Sequence, residues 1–557
     1  MTAASNPLFV QSDRTVLVET ASPRYEEARD VLSRFAELEK SPEHVHTYRL
    51  TPISLWNAAA AGHTPEEVIQ GLHDLSKYAI PQNLLAEIRS TMGRYGRLLL
   101  TRESEQELRL TAADALLLTE LLHQPKLRSL LGEPLGPRAV LVPSAQRGKL
   151  KQLLVHLGHP VDDRAGYTPG KPLPVGLRTT SRSGRPFGLR EYQRAALAAY
   201  LALGSERGGS GVVVLPCGAG KTIVGLGALA ELSRYTLILG TNITALHQWR
   251  DEILDKTTLE PEQIGEYSGE RKEVRPVTLA TYQILTHRRK KTDPFVHFGL
   301  FDQEDWGLIL YDEVHLLPAP VFRAAAEVQA RRRLGLTATL VREDGLEGDV
   351  FSLIGPKRFD VPWRVLEREG WIAEAVCHEL RVPFASEDDR LRYAVSEGRD
   401  QFRFASENPE KTRIVQELVA RHREDRVLVI GQYLDQLEGL AATLQAPLIQ
   451  GSTPSARREE LYTAFKTGRI SLLIVSKVAN FAVDLPDANV AIQVSGTFGS
   501  RQEEAQRLGR ILRPKQGANQ ATFYSLISRD TVEQEYSARR QLFLTEQGYR
   551  YEIHDVG

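Results

Sequence analysis

The chain has 557 residues, too many for one hydrophobic core, and a typical domain size of about 100 to 200 residues implies three or four units. Hydrophobic residues make up 42% and charged residues 25%, as in ordinary globular proteins, while a net charge of −1 neither favours nor excludes nucleic acid. The only cysteines are Cys217 and Cys377, which excludes a disulfide framework and any four-thiolate zinc or iron-sulfur site.

The N-terminus lacks the charged start and long apolar run of a signal peptide. No later stretch approaches the roughly 18 uninterrupted apolar residues of a membrane span. We therefore predict a cytoplasmic protein with no membrane partner.

Residues 1–109 are predicted to form a small α+β region. The elements expected in chain order are two short strands in 8–20, a helix over 23–40 opened by Pro23, helices over 64–78 and 81–96, and a β-hairpin over 96–110. Helices followed by a hairpin indicate a winged-helix-like unit, or equally a small α+β module that binds protein or nothing.

Residues 110–186 are predicted to be a basic region and linker, with a helix over 111–126 and a strand, turn and helix over 138–161. Between residues 138 and 186, positive charge accumulates and is opposed only by Asp162 and Asp163. The basic residues are Arg138, Arg147, Lys149, Lys151, Arg164, Lys171, Arg178, Arg182 and Arg185. They indicate a phosphate-facing surface, or a flexible basic linker, since 168–186 is rich in Pro, Gly and Ser.

From residue 187 onward, apolar strands alternate with amphipathic helices, a pattern typical of parallel sheets with crossover helices. The expected strands lie at 212–215, 236–240, 277–281, 308–311, 333–337, 427–431, 472–476, 490–494 and 521–527. We predict an α/β fold with two parallel-sheet lobes, residues 187–365 and 366–557.

A phosphate-binding loop is predicted within 212–232, where a buried strand, a glycine-bearing turn and a helix follow one another. Gly218 and Gly220 let backbone N–H groups curl around phosphate oxygens, Lys221 reaches the outer phosphates and the Thr222 hydroxyl can ligate Mg²⁺. Leu215 stands where the longer GxxxxGK[ST] pattern has glycine, so the loop is the shorter variant. Its remaining members are Pro216 and Ala219.

An acidic pair, Asp312 and Glu313, ends the apolar strand at 308–311, where doubly wound sheets present their ligands. We assign Asp312 to the metal and Glu313 to orienting or deprotonating the attacking water. His315 is interpreted as a polar contact between the nucleotide and nucleic-acid sites. The sequence around it offers no partner with metal-ligand spacing.

The segment 503–515 is predicted to be a helix with four residues on one face. They recur at i, i+3, i+4 and i+7 and are Gln506, Gly509, Arg510 and Arg513. The two arginines can neutralise charge on a transferring phosphoryl group, and an exposed basic helix is the plainer alternative.

These motifs together resemble helicase superfamily two, and within it the XPB family. In chain order they are LREYQ (189–193), PCGAGKT (216–222), DEVH (312–315), TAT (337–339) and QRLGRILR (506–513). Four further segments are similar to XPB: Arg342-Glu343-Asp344, residues 476–515, and the N-terminal stretches 8–19 and 54–62.

The resemblance implies two RecA-like lobes that hold ATP and Mg²⁺ between them, DNA crossing both, and movement from 3′ to 5′. The adenine would be read by Gln193, beside Arg190, and strand opening would involve Arg342, Glu343 and Asp344. Further residues are implied by position: Thr337, Thr339, Asp484 and Gln506 in coupling, and Thr241 and Thr281 in DNA contact. Ala479 and Asn480 depart from the family's usual Gly-Asp.

The family's thumb-like insertion would fall near 385–408, where a solvated helical hairpin is the alternative, and its damage-recognition-like domain near 110–180. We predict an ATP-dependent 3′–5′ DNA helicase that acts on duplex, forked or bubbled DNA in DNA repair, with a nuclease or other repair protein as a possible partner. The alternatives are a double-strand translocase that never separates strands and a damage-binding scaffold.

Overall fold

The computed structural model describes residues 6–40, 44–202, 208–216, 218–290, 295–317, 321, 331–338, 347–361, 363–476, 488–496, 508, 519–547, 549 and 551–556. The described residues fall into two compact units. The first is drawn from residues 1–37, 44–215 and 220–361, and the second from residues 38–43, 216–219 and 362–557. Within these ranges, none of the helices is long and apolar enough to cross a membrane.

The N-terminal region begins with a four-stranded sheet of order β1-β2-β4-β3 and a group of helices. The elements are β1 (Leu8–Val10), β2 (Thr15–Glu19), α1 (Tyr25–Leu32), β3 (Glu37–Lys40), β4 (Val45–Arg49), α2 (Pro52–Ala60), α3 (Pro65–Leu75) and α4 (Gln82–Met92). The two strands expected in 8–20 and the helices expected in 64–78 and 81–96 are confirmed. Thr64 caps α3 by accepting the N–H of Glu67.

The helix expected over 23–40 is only partly present, because α1 ends at Leu32 and residues 37–40 form β3. Leu38 is buried between Glu37, which is exposed, and Glu39, which is half-buried. This alternation has the period of a strand rather than of a helix. The prediction extended a helical pattern over residues that follow the other period.

A five-stranded sheet of order β7-β8-β6-β5-β9 follows. Its elements are β5 (Leu98–Arg102), β6 (Glu107–Ala112), α5 (Ala115–Leu122), α6 (Pro125–Arg128), β7 (Pro134–Gly136), β8 (Ala139–Pro143), α7 (Arg147–His156) and β9 (Val161–Asp163). The predicted hairpin is β5 and β6, which pair antiparallel. Since β6 also pairs with β8, the predicted boundary at residue 109 falls inside one strand of a continuous sheet.

Two of the nine basic residues of this region, Arg147 and Lys151, face inward and do not contribute to the predicted phosphate-facing surface, which stays a prediction for the exposed ones. Arg147 and Lys151 are buried and both contact the carboxylate of Asp163, at 2.8 and 3.0 Å. Arg164 pairs with Asp162 at 2.7 Å. A buried cation needs a partner, so these charges are matched within the fold rather than offered to a phosphate.

Residues 168–186 carry no helix or strand, as predicted, but they are not a flexible linker. Their backbone is hydrogen-bonded to the first α/β lobe along its length: Lys171 N–H donates to Asp305, Arg178 N–H to Lys256 and Arg182 N–H to Asp255, all at 2.8–2.9 Å. The segment is a strap fixed to that lobe.

The first lobe is a seven-stranded parallel sheet of order β12-β13-β11-β14-β15-β10-β16. Its strands are β10 (Ser210–Val214), β11 (Thr236–Gly240), β12 (Ile264–Tyr267), β13 (Val277–Thr281), β14 (Leu308–Asp312), β15 (Arg332–Thr337) and β16 (Lys357–Asp360). Its helices are α8 (Glu191–Leu201), α9 (Lys221–Leu232), α10 (Ile243–Lys256), α11 (Tyr282–Leu285) and the short α12 (Glu347–Asp349). The central strands are buried throughout, as strands covered on both faces must be.

The second lobe is also a seven-stranded parallel sheet, of order β19-β20-β18-β21-β22-β17-β23. Its strands are β17 (Glu374–Val382), β18 (Val427–Gly431), β19 (Leu448–Ile449), β20 (Leu472–Ser476), β21 (Val490–Gln493), β22 (Gln520–Ser528) and β23 (Tyr551–Asp555). Its helices are α13 (Trp363–Arg368), α14 (Glu387–Val395), α15 (Gly398–Ser406), α16 (Glu410–Arg421), α17 (Leu434–Leu444), α18 (Ser455–Lys466) and α19 (Val532–Glu546). Two RecA-like parallel sheets after a smaller α+β region confirm the predicted fold class.

The predicted thumb-like segment at 385–408 consists of α14 and α15. No residue of α14 is buried. The second helix, α15, buries Phe402, Ala405 and Ser406. The segment is therefore a helical hairpin exposed along α14 and partly buried along α15, and a DNA contact there stays a prediction.

Candidate nucleotide-hydrolysis site

Three neighbouring strands of the first lobe bring the candidate residues together. The order β14-β15-β10 places the carboxyl ends of these parallel strands at one edge of the sheet. In register, Asp312 lies opposite Leu336 and Val214 lies opposite Thr337. The phosphate-binding loop after β10, the acidic pair after β14 and the end of β15 therefore meet at one place.

The glycines of the phosphate-binding loop adopt conformations that other residues avoid. Gly218 and Gly220 have φ angles of +81° and +77°, in the left-handed region. Gly220 also lies against Gln193, because a Cβ on Gly220 would come within 2.6 Å of Gln193 Nε2. Lys221 begins α9, so the N-terminal N–H groups of that helix face the loop, the arrangement that suits a phosphate.

A continuous line of polar contacts runs from the loop to the end of β15. Lys221 Nζ lies 3.4 Å from Glu313 Oε1, and His315 Nδ1 lies 3.4 Å from Glu313 Oε2. The same His315 nitrogen lies 2.6 Å from the hydroxyl of Thr337. We name these four residues, Lys221, Glu313, His315 and Thr337, the polar relay.

Glu313 itself has a φ of +50°, a left-handed conformation that is rare for a residue with a side chain. Holding such a residue costs about 1–3 kcal/mol, which the surrounding structure must supply. Strain of this kind is concentrated at functional sites, and here it points the carboxylate toward Lys221.

The two carboxylates differ in their acidity. Burial, followed by the neighbouring charge of Glu313, raises the pKa of Asp312 to about 6. Burial acts in the same direction on Glu313, but the charges of Lys221 and His315 outweigh it, so the pKa of Glu313 is lowered. Paired carboxylates whose pKa values are pushed apart can take different roles. Glu313 is ionised at neutral pH and available as a base.

Asp312 suits a divalent cation. Its raised pKa reflects a buried carboxylate that lacks a sufficient positive partner, and a bound cation would supply one. Mg²⁺ prefers oxygen ligands, and the Thr222 hydroxyl, at the start of α9, is a second oxygen of the right type. The residues present therefore fit the cofactor expected from the sequence.

Two residues that the sequence did not point to hold Asp312 in place. Trp249 on α10 donates its indole N–H to Asp312 Oδ2 at 2.9 Å, and Tyr282 donates its hydroxyl to the Asp312 carbonyl at 2.8 Å. The indole packs where a Cβ on Gly225 would come within 2.5 Å, so that position requires glycine. Trp249 and Asp312 are 63 residues apart in the chain, and no local pattern links them.

We expect Trp249→Phe to weaken binding of the divalent cation. The substitution keeps a ring in the buried position and removes the N–H that orients Asp312. Loss of such a supporting hydrogen bond should raise the Mg²⁺ concentration for half-maximal ATP hydrolysis by about 10- to 100-fold. Trp306→Phe is the matched control, since that indole donates to the Leu300 carbonyl at 3.0 Å, away from the site. Equal Mg²⁺ dependence in both variants would remove Trp249 from this role.

Four further predicted site residues of the first lobe, which are Arg190, Gln193, Thr241 and Thr281, do not belong to the polar relay. The N–H of Arg190 donates to Gln193 Oε1 at 2.9 Å, which ties both to the start of α8. Thr241 is half-buried just after β11. Thr281 is buried, and its hydroxyl caps α11 by accepting the N–H of Ile284. A direct DNA contact at Thr281 would require this turn to open.

Eight of the predicted site residues lie outside the described residues, and their roles stay predictions. They are Thr339, Arg342, Glu343, Asp344, Asp484, Gln506, Arg510 and Arg513.

Two parallel sheets, a phosphate-binding loop and an acidic pair at the carboxyl edge of the first sheet define a P-loop ATPase with two RecA-like lobes, the class that includes helicases. Residues 366–555 match the family described as "ERCC3/RAD25/XPB C-terminal helicase", residues 186–342 match "Type III restriction enzyme, res subunit", and residues 8–135 match "Helicase conserved C-terminal domain". The chain belongs to the XPB family of ATP-dependent DNA helicases.

Relatives that align with 99% of this chain support the assignment. The chain is 55% identical to "DNA 3'-5' helicase XPB" of Kineococcus radiotolerans, over 99% of this chain and 96% of the relative. It is 53% identical to the protein of the same name from Mycobacterium tuberculosis, over 99% and 98%. It is 31% identical to "General transcription and DNA repair factor IIH helicase/translocase subunit XPB/SSL2" of Saccharomyces cerevisiae, over 99% and 72%.

Proposed function

We propose that this protein is a 3′–5′ DNA helicase that uses ATP hydrolysis to open DNA strands during DNA repair. The observation that carries the proposal is the polar relay, because it links the residue that meets the phosphates, Lys221, to the end of the neighbouring strand at Thr337. The names of the relatives support the direction of movement and the link to repair.

In the hydrolytic step, the loop amides and Lys221 bind the phosphates and Glu313 accepts a proton from the attacking water. Lys221 lies 3.4 Å from Glu313 and lowers its pKa. When the triphosphate draws Lys221 away, Glu313 loses that stabilising charge and becomes a stronger base. Substrate binding therefore switches on the base that hydrolysis needs.

A magnesium ion held by Thr222 and Asp312 would supply charge stabilisation for the departing phosphate. This chain's own contribution is the orientation of Asp312 by the indole of Trp249 and by the backbone N–H of Glu313, at 2.9 and 3.0 Å. Both bonds fix the direction of the carboxylate before any ligand arrives.

His315 and Thr337 are proposed to couple hydrolysis to movement. Their side chains are buried and hydrogen-bonded, so a change at Glu313 reaches the end of β15 without passing through solvent. Arg510 and Arg513 are proposed to neutralise the transferring phosphoryl group, and Arg342, Glu343 and Asp344 to act in strand opening. DNA should be held mainly through phosphates, so its binding should weaken as salt rises.

Thr337→Val should separate the two activities. The change keeps the shape of the side chain and removes the hydroxyl that meets His315. A coupling term of about 0.5–2 kcal/mol corresponds to a loss of roughly 2- to 30-fold in strand opening per ATP hydrolysed. Thr236→Val is the matched control. Thr236 is a buried residue at the amino-terminal end of β11, and its hydroxyl donates to the nearby Arg234 carbonyl. Parallel losses in ATP hydrolysis and strand opening would contradict a coupling role.

The proposal is tested by strand displacement from forked duplexes that carry a single-stranded tail of one polarity. We expect ATP-dependent displacement from the 3′-tailed substrate, little from the 5′-tailed one and none from a blunt duplex. Hydrolysis and triplex displacement without strand separation would overturn the helicase assignment in favour of a double-strand translocase. A nuclease or other repair partner belongs to the same proposal, and its addition should leave the polarity unchanged.

A further inference from the structure

Three side chains of types that commonly bind metal ions converge at the edge of the second lobe. None of them belongs to the polar relay. They are His378 on β17 and Glu552 and His554 on β23. The two strands are parallel neighbours, with His378 opposite Glu552 and Leu380 opposite His554. Residues two apart on a strand share a face, so all three side chains project from the same side of the sheet.

The distances between their ligand atoms fit one small cation. His378 Nδ1 lies 3.3 Å from Glu552 Oε2 and 3.3 Å from His554 Nε2, and the last two atoms lie 3.7 Å apart. Zinc binds imidazole nitrogen and carboxylate oxygen at about 2.0–2.2 Å, so tetrahedral ligands around it stand roughly 3.3–3.5 Å from one another. One ion can therefore bond to all three atoms with little movement of the side chains.

One of the three ligands, His378, is held in position by a neighbouring ring and is the least exposed of the three side chains, at 18%. The His378 ring stacks on Tyr524, with centroids 5.0 Å apart, which fixes the direction of its nitrogen.

The position of the cluster gives the ion a structural task. β23 is the edge strand, and residues 552–555 are exposed. Its partly buried apolar side chains are at its ends, where Tyr551 contacts Phe523 and Val556 packs against the core of the lobe. A strand with so little buried surface depends on its ladder hydrogen bonds, and parallel ladders are slightly weaker per residue than antiparallel ones.

We propose that His378, Glu552 and His554 form a binding site for a borderline divalent cation of the zinc type, and that the bound ion ties the edge strand β23 to β17. Two imidazoles and one carboxylate select zinc over magnesium, which prefers oxygen ligands alone. With three protein ligands, the fourth position is left to water.

The test is titration of the full-length, metal-free protein with ZnCl₂ in excess MgCl₂, which occupies oxygen-ligand sites. We expect one tightly bound zinc per chain and a rise in the unfolding temperature when it binds. His554→Ala and Glu552→Gln should each weaken binding by at least about 100-fold, since loss of a mere supporting residue already costs about 10- to 100-fold. Both residues are largely exposed, with side chains 50% and 60% accessible, so the variants should fold.

The control is His123→Ala, which removes an exposed histidine on the other unit and should leave the titration unchanged. CoCl₂ provides a second readout, because a tetrahedral site that contains imidazole gives visible absorption bands that should vanish in His378→Ala. Absence of a tight site in the wild type, or a site whose affinity ignores all three substitutions, would overturn the proposal.

Discussion

Glu313→Gln should reduce kcat for ATP hydrolysis by about 100- to 10,000-fold, the usual contribution of a positioned base. The amide keeps the size of the side chain but cannot accept the proton of the attacking water. The substitution also removes the negative charge that lies 3.4 Å from Lys221 Nζ. Because Lys221 then has no competing carboxylate, the affinity for nucleotide should stay the same or increase. The measurements are phosphate release at saturating ATP and DNA, and binding of a fluorescent ATP analogue.

The matched control for this prediction is Glu266→Gln, the same change at a buried carboxylate on β12 that pairs with His247 at 3.2 Å. It should leave kcat within a few-fold of wild type. If Glu313→Gln hydrolysed ATP as fast as this control, Glu313 could not be the base.

The second large effect is expected on stability. Asp163→Asn should destabilise the packing of β9 and α7 by about 3–5 kcal/mol, because it leaves Arg147 and Lys151 buried without a countercharge. Burial already lowers the pKa of Lys151 to about 8, and Asp163 is the partner that opposes this shift. Hydrogen exchange of the amides in β9 and α7 should accelerate by more than about 100-fold.

Glu103→Gln is the control for Asp163→Asn. Glu103 pairs with Arg109 at 2.8 Å on the surface of the same sheet, where water screens the ion pair and its contribution to stability is small. Equal exchange rates in the two variants would show that the buried ion pairs contribute no more to stability than the surface pair does.

The ion pairs of Asp163 with Arg147 and Lys151 also determine how stability changes with pH. Despite burial, which acts in the opposite direction, Arg147 and Lys151 hold the pKa of Asp163 far below its ordinary range. A carboxyl group with a depressed folded pKa stabilises the protein above its unfolded pKa of about 3.9, and this stabilisation is lost as the pH falls further. The first unit should therefore loosen in acid, and less so in Asp163→Asn.

Much of the candidate site could be predicted because its motifs are local. The loop from Pro216 to Thr222 and the pair Asp312-Glu313 follow strands whose apolar runs are plain in the sequence, and parallel strands bring their carboxyl ends together. The structure places His315 against Thr337, and the interpretation of that histidine as a polar contact between the nucleotide and nucleic-acid sites stays a prediction.

What could not be predicted depends on long-range contacts. The burial of Arg147 and Lys151 could not be predicted, because their pairing with Asp163 requires α7 to pack on β9. The tie between Trp249 and Asp312 likewise depends on how α10 lies against the sheet. Residues 37–40 were assigned to a helix because the neighbouring helical pattern was stronger than a strand of four residues.

The most direct test of the ATPase centre is DNA-stimulated phosphate release by the wild-type protein beside Lys221→Ala. We expect DNA to accelerate hydrolysis by the wild type and to have no measurable effect on the variant, which lacks the charge that meets the phosphates. Equal hydrolysis by the two proteins, or hydrolysis by the wild type that ignores DNA, would contradict an ATP site built on Lys221 and Glu313.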